Sequence, residues 1–313
     1  MIFSEKARLL TVVLLLLGCA FNARAESSGY AVIPENPRPG EPVTVAVGAI
    51  SGVEAGQAVL VSEGRRLAKA AFFSVPADGE KPPFKAAVLA VPSLAKPGRA
   101  AIVIEGAAGS LAEIPLDITE REFPFENIEL DAALTGLRTD PDPQKTAESE
   151  HLWSILNRTG NEMHHFSGFA PPVSSTRRTS RFGSRRVYLY SNGTSDVSVH
   201  AGIDYGVPKG TPVNACGPGR VILARYRIVT GNSVIIEHLP GIYSLYYHLD
   251  SIAAAEGALV ATGTLLGLSG ATGLATGPHL HWEIRVSGEN ADPDAFIARP
   301  ILDKDAIFSK ISH

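Results

Sequence analysis

Thr276-Gly277-Pro278-His279-Leu280-His281-Trp282-Glu283-Ile284-Arg285 sets two histidines one residue apart in a run that alternates polar and apolar side chains. Successive side chains of a β-strand point to opposite faces, so this spacing puts both imidazoles on one side. Leu280, Trp282 and Ile284 fall on the other side, as a half-buried strand requires. Imidazole is the commonest protein ligand for metals such as zinc, and it titrates near neutral pH. One strand can therefore carry a metal ligand and an acid/base group side by side.

Two further segments complete the set: His200-Ala201-Gly202-Ile203-Asp204 upstream and Tyr247-His248-Leu249-Asp250 between. A catalytic zinc takes three protein ligands and keeps a fourth position for water. His200, Asp204 and His281 supply two imidazoles and a carboxylate, donors suited to one zinc ion per chain. The spacing of four between His200 and Asp204 can bring both side chains to one face, and Gly202 keeps their approach uncrowded. His248 and His279 are then left over. Metal-assisted hydrolysis needs groups that deprotonate water and protonate or stabilise the tetrahedral species, and these two match that need. Each piece alone is weak, but their joint occurrence among glycine-rich flanks is specific.

The surrounding pattern is mainly β. Short runs rich in β-branched and aromatic residues, bounded by glycine, recur at 186–190, 220–224, 233–237, 243–247 and 265–268. They predict a mostly β domain over residues 171–300, followed by a C-terminal tail at 301–313. Residues 26–125 hold apolar runs at 44–47, 58–61, 86–91 and 101–104 between Pro-Gly or Gly turns, which predicts a β-sandwich. That stretch has no histidine or cysteine, so its expected role is positioning or binding. Residues 126–170 read as a connector with a helix, Asp142 being the N-cap and Pro143 the first helical residue.

The chain has 313 residues, enough for about two domains, with 45% hydrophobic and 19% charged content, which is globular. Residues 1–25 read as an export signal: Lys6 and Arg8, an apolar core from Leu9 to Leu17, and Ala23-Arg24-Ala25 as the cleavage pattern. Export implies the periplasm or cell envelope. Leu16-Leu17-Gly18-Cys19 also resembles a lipoprotein processing box, so membrane anchoring arises only if Cys19 carries lipid. Cys216 is then the single remaining cysteine, without a disulfide partner, and reads as a small buried apolar residue. The net charge of −4 offers no broad basic face, which argues against a nucleic-acid partner.

With these residues quoted, a resemblance is plain. Ser180-Arg181-Phe182-Gly183-Ser184-Arg185, His200 to Pro208, Gly231 to His238, Tyr247-His248-Leu249 and Gly277 to His281 resemble the lysostaphin-type (LytM-like) zinc endopeptidases of bacterial peptidoglycan. The resemblance covers about a third of the chain and implies that His200, Asp204 and His281 bind zinc while His248 and His279 are catalytic. It implies an open antiparallel β-barrel or sandwich with a groove over the metal, and peptide stems and cross-bridges of peptidoglycan as substrate. The match weakens between Arg186 and Val199, the expected rim of the groove.

The alternative is a catalytically silent wall-binding or hydrolase-activating module on the same scaffold, and the complete ligand set favours the enzyme. A zinc peptidase acting on proteins is a third reading, since the motif fixes the reaction and not the substrate. His151, His238 and His313 read as surface or structural. Asn161, His164 and His165, just before the catalytic segment, suggest self-occlusion of the fourth zinc position, against an exposed polar linker.

Overall fold

The computed structural model describes residues 29–48, 53, 56–158, 160 and 162–311. The expected export signal, Cys19, Asn161 and His313 lie outside the described residues. Among those described, short apolar runs from Tyr30 onward build eight strands: β1 (Tyr30–Ile33), β2 (Pro42–Val47), β3 (Gln57–Ser62), β4 (Arg65–Ala71), β5 (Phe73–Val75), β6 (Phe84–Ala90), β7 (Gly98–Gly106) and β8 (Gly109–Ile118). They form two antiparallel four-stranded sheets, ordered β1-β2-β6-β5 and β4-β3-β7-β8. Val43, Val45 and Val47 of one sheet share a core with Leu60, Ile102 and Ile104 of the other. That is a β-sandwich.

β2 and β6 are buried on both faces, which is why they read as nearly continuous apolar runs. Their outer face is made of small residues, Ala46, Ala86, Val88 and Ala90, and joins the core of the C-terminal half. The Ser287 hydroxyl donates to the Val88 carbonyl at 3.1 Å across this junction.

The connector is richer than a helix alone. It holds β9 (Phe125–Glu129), α1 (Ala132–Thr139) and α2 (Pro143–Leu156). The Asp142 carboxylate accepts from the Gln144 amide at 2.7 Å, so α2 starts at the expected cap and proline. α1 was not expected, because Gly136 and two threonines in eight residues weaken its helical pattern.

The C-terminal half follows as β10 (Arg178–Ser180), β11 (Arg185–Leu189), β12 (Ser195–Val199), β13 (Gly202–Tyr205), β14 (Pro212–Asn214), β15 (Gly219–Arg227), β16 (Gly231–Leu239), β17 (Ile242–Ile252), β18 (Leu259–Val260), β19 (Leu265–Ser269), β20 (Leu280–Val286) and β21 (Glu289–Ala291). Its main sheet runs β10-β13-β20-β17-β16-β15-β18, with β14, β19 and β21 attached at its sides. Leu280, Trp282 and Ile284 of β20 are fully buried, each aliphatic one contributing roughly 1.5–3 kcal/mol. The segment from Arg186 to Val199 forms the β11–β12 hairpin, and β9 pairs with β11 in parallel.

The last segment, expected only as a tail, is folded after α3 (Pro293–Ala298). α4 (Lys304–Ile311) packs against β1, and Ile301, Leu302 and Ile307 enter the main core. Its apolar residues at 301, 302, 307 and 308 are too few to display a helical stripe in the sequence.

Candidate metal centre

Strand pairing assembles the site. β13 sets Asp204 opposite His281 of β20, and β17 sets Tyr247 opposite His281 on the other side. The Tyr247 ring stacks parallel to the His281 imidazole, with centroids 5.6 Å apart and planes 5° apart. His200 precedes β13, its backbone fixed by hydrogen bonds with Gly183 and Ser184. Gly202 is required by closeness of strands: a Cβ there would stand 2.2 Å from the Trp282 carbonyl oxygen.

Three donor atoms converge. His200 Nε2 lies 3.1 Å from Asp204 Oδ1 and 3.0 Å from His281 Nδ1, and the last two are 2.7 Å apart. Donors on a tetrahedral zinc at about 2.05 Å are separated by about 3.3 Å, so a small contraction around the same centre is all that distinguishes this triangle. All three residues are buried. Zinc fits the donor set.

The far side of each ring decides which nitrogen faces the centre. His200 Nδ1 donates to the Arg181 carbonyl at 2.8 Å, with the Ser180 hydroxyl at 3.0 Å. His281 Nε2 donates to Glu283 Oε1 at 2.9 Å, and Arg285 Nε holds Glu283 Oε2 at 2.9 Å. His200 thus presents Nε2 and His281 Nδ1, each oriented by an outer partner as in metal sites generally. The Arg186 guanidinium pairs with the remaining Asp204 oxygen, Oδ2.

Electrostatics agree. Burial works against charge on His281, but its hydrogen bonds to Asp204 and Glu283 prevail and push it up to about 9. Burial likewise opposes ionisation of Asp204, yet bonds from His200 and His281 hold it well below the usual carboxylate range. The centre therefore gathers anionic charge with a proton for a cation to displace.

His248 and His279 stand beside this triangle with ring centroids 4.8 Å apart, and His279 Nε2 is 3.8 Å from Asp204 Oδ1. The Nδ1 of His248 donates to the Thr272 carbonyl and that of His279 to the Gly277 carbonyl, both at 2.8 Å, leaving each Nε2 available. His248 adopts φ of 61°, a left-handed conformation uncommon outside glycine. Burial, with His279 and His281 nearby, pushes its pKa down to about 3, and burial lowers His279 too. Burial thus favours the uncharged form of both imidazoles.

Residues 198–293 match peptidase family M23. That match spans under a third of the chain and contains the donor triangle. It is 38% identical over 135 residues to DD-carboxypeptidase/endopeptidase Mpg of Neisseria meningitidis serogroup B, covering 43% of this chain and 30% of that protein. It is 37% identical over 132 residues to peptidoglycan DD-endopeptidase ShyA of Vibrio cholerae serotype O1, covering 42% and 30%. The chain thus matches under a third of the length of these curated relatives. A crystal structure of a peptidase M23 from Pseudomonas aeruginosa superposes over 83% of this chain and 94% of that one, with TM-score 0.57 and 24% identity. At that identity the likeness speaks for the fold, and it extends well beyond the M23 domain.

Clefts open on both sides of the donor triangle. One, of about 190 Å³, is lined by Arg138, Tyr188, Tyr247, His248 and His281. The other, about 480 Å³, lies between β9 and residues 276–279. A roomier cleft of about 840 Å³ sits between β1 and β8 in the sandwich, far from this chemistry and lacking any histidine.

The connector histidines do not join the site. His164 Nε2 meets Glu162 at 3.1 Å, and His165 Nε2 meets the Gly168 carbonyl at 3.1 Å while its ring stacks on Phe169. Self-occlusion by these two is therefore corrected, and so is the exposed linker, because His165 is packed against the barrel. His238 is structural, buried between the Pro218 carbonyl and the Ser244 hydroxyl, both at 2.7 Å. Cys216 is buried, and burial pushes its thiol up to about 12.

Sequence reasoning left out Glu283, Arg186 and Glu126. Glu283 had a signal: the period-two face of His279 and His281 continues through it to Arg285. Arg186 and Glu126 had none, because their meeting depends on the parallel β9–β11 pairing.

Proposed function

We propose that the chain is an exported zinc-dependent endopeptidase of the cell envelope that hydrolyses peptide cross-bridges of bacterial peptidoglycan. The observation that carries the reading is the convergence of His200 Nε2, Asp204 Oδ1 and His281 Nδ1 beside two buried histidines, His248 and His279, whose Nδ1 atoms are tied to backbone carbonyls. The names of the M23 relatives support the peptidoglycan substrate.

His200, Asp204 and His281 would hold a zinc ion, which when bound would supply Lewis acidity toward water and the scissile carbonyl. His248 and His279 would serve as proton acceptor and donor beside it, their Nδ1 bonds to backbone carbonyls fixing the ring orientation. Tyr247, stacked on His281, fixes the plane of the ligand ring.

Digestion of defined cross-linked muropeptides by the parent chain and by His248→Ala tests the reading. Cleavage by the parent and its loss in the variant is the expected result; an uncleaved substrate with zinc-loaded parent would replace the enzyme by a silent binding module.

A further inference from the structure

A closed circuit of polar contacts runs behind the metal ligands. Asp204 Oδ2 pairs with the Arg186 guanidinium, whose Nε lies 3.3 Å from Glu126 Oε2. Glu126 accepts from the Ser180 hydroxyl at 2.7 and 2.9 Å. That hydroxyl lies 3.0 Å from His200 Nδ1, which returns to the second ligand. Two of the three ligands are thus joined through one carboxylate, and it belongs to β9 of the connector. Glu126, Ser180 and Arg186 all lie outside the residues that match family M23.

We propose that Glu126 is a positioning residue of the metal centre, acting through Arg186 and Ser180, so that the connector strand sets the affinity for zinc. The inference rests on reading His200, Asp204 and His281 as the ligands. With Oδ2 tied to Arg186, Asp204 offers the centre a single oxygen in a fixed direction. Arg186 alone would be a poor clamp, since its full positive charge beside the site opposes an incoming dication. Glu126 offsets that charge and aims the planar fork, which lysine cannot reproduce. The same carboxylate orients Ser180, and with it the Nδ1 side of His200.

The electrostatic sign separates this role from simple packing. Glu126→Gln keeps the shape and one acceptor but leaves Arg186 uncompensated, so zinc binding weakens by roughly 10-fold or more, the scale of outer-partner losses. Glu126→Gln/Arg186→Gln removes the repulsion together with the clamp and recovers part of that loss, a non-additive cycle. Ser180→Ala, a deletion of one hydroxyl that the fold tolerates, weakens zinc in the same direction.

The experiment is competition for zinc between each full-length chain and a chromophoric chelator, with the visible spectrum of the cobalt-loaded chains as a second readout. Weaker zinc binding in Glu126→Gln and Ser180→Ala, partial recovery in the double variant, and a shifted cobalt band support the proposal. Affinities within about twofold of the parent in both single variants overturn it. So does faster muropeptide cleavage by Glu126→Gln at unchanged zinc affinity, which would make β9 a cover over the cleft instead. A parent chain that binds no zinc would defeat the ligand reading itself.

Discussion

Gly202→Ala is the sharpest probe of how the fold positions the site. The added Cβ would stand 2.2 Å from the Trp282 carbonyl oxygen and 2.9 Å from its carbon, both backbone atoms with no side-chain freedom. To reach the 3.0 Å that real contacts allow, β13 must retreat from β20 by about 0.8 Å. Overpacking of this kind costs about 1–3 kcal/mol. The retreat also pulls Asp204, two residues on, away from His281 across the same pairing, where Oδ1 and Nδ1 are 2.7 Å apart. A misplacement near 1 Å lowers turnover by about 10²-fold. Urea unfolding reads the first effect, and zinc titration beside muropeptide turnover reads the second. An unchanged urea midpoint together with unchanged zinc affinity would refute the claim that close β13–β20 contact sets the ligand geometry.

Three further outcomes are expected. His248→Ala and His279→Ala should keep zinc while losing about 10²–10⁴-fold in turnover, read by metal analysis beside muropeptide assays; zinc loss in His279→Ala equal to that in His281→Ala would move His279 among the ligands. Glu283→Gln should weaken zinc by about 10-fold or more through its bond to His281 Nε2, and an unchanged dissociation constant would deny it an orienting role. His238, fully buried with its pKa pushed from 6.5 to about 3, contributes stability present above pH 6.5 and lost as pH falls toward 3. That contribution is on the order of 4 kcal/mol, and His238→Gln should flatten the acid limb of metal-free stability curves; an identical limb would place the acid sensitivity elsewhere.

The cluster of His200, Asp204 and His281 was legible because its chemistry coincides with local periodicity. His279 and His281 share a face by the two-residue repeat, and Asp204 is held on a strand that pairs directly with theirs. The sandwich was announced differently, by the apolar runs at 44–47, 58–61, 86–91 and 101–104 set between turns. α4 stayed hidden because it owes its place to packing of Ile307 against distant β1 and not to an apolar stripe. The outer partners stayed hidden for a topological reason: Glu126 meets Arg186 through a parallel pairing across 60 residues, and no local pattern encodes that. His165 misled the reading because a buried histidine stacked on Phe169 looks, in sequence, like a solvent-facing ligand.

The central claim is that His200, Asp204 and His281 hold one zinc ion that the reaction requires. Its most direct test is metal content and cleavage of a single purified cross-linked muropeptide, followed by mass spectrometry through chelation and zinc restoration. The account predicts one zinc per chain, a peptide bond cut, loss of both on chelation, return of both with zinc, and neither in His200→Ala or Asp204→Ala. Cleavage that survives complete zinc removal, or full zinc occupancy in either variant, would contradict it.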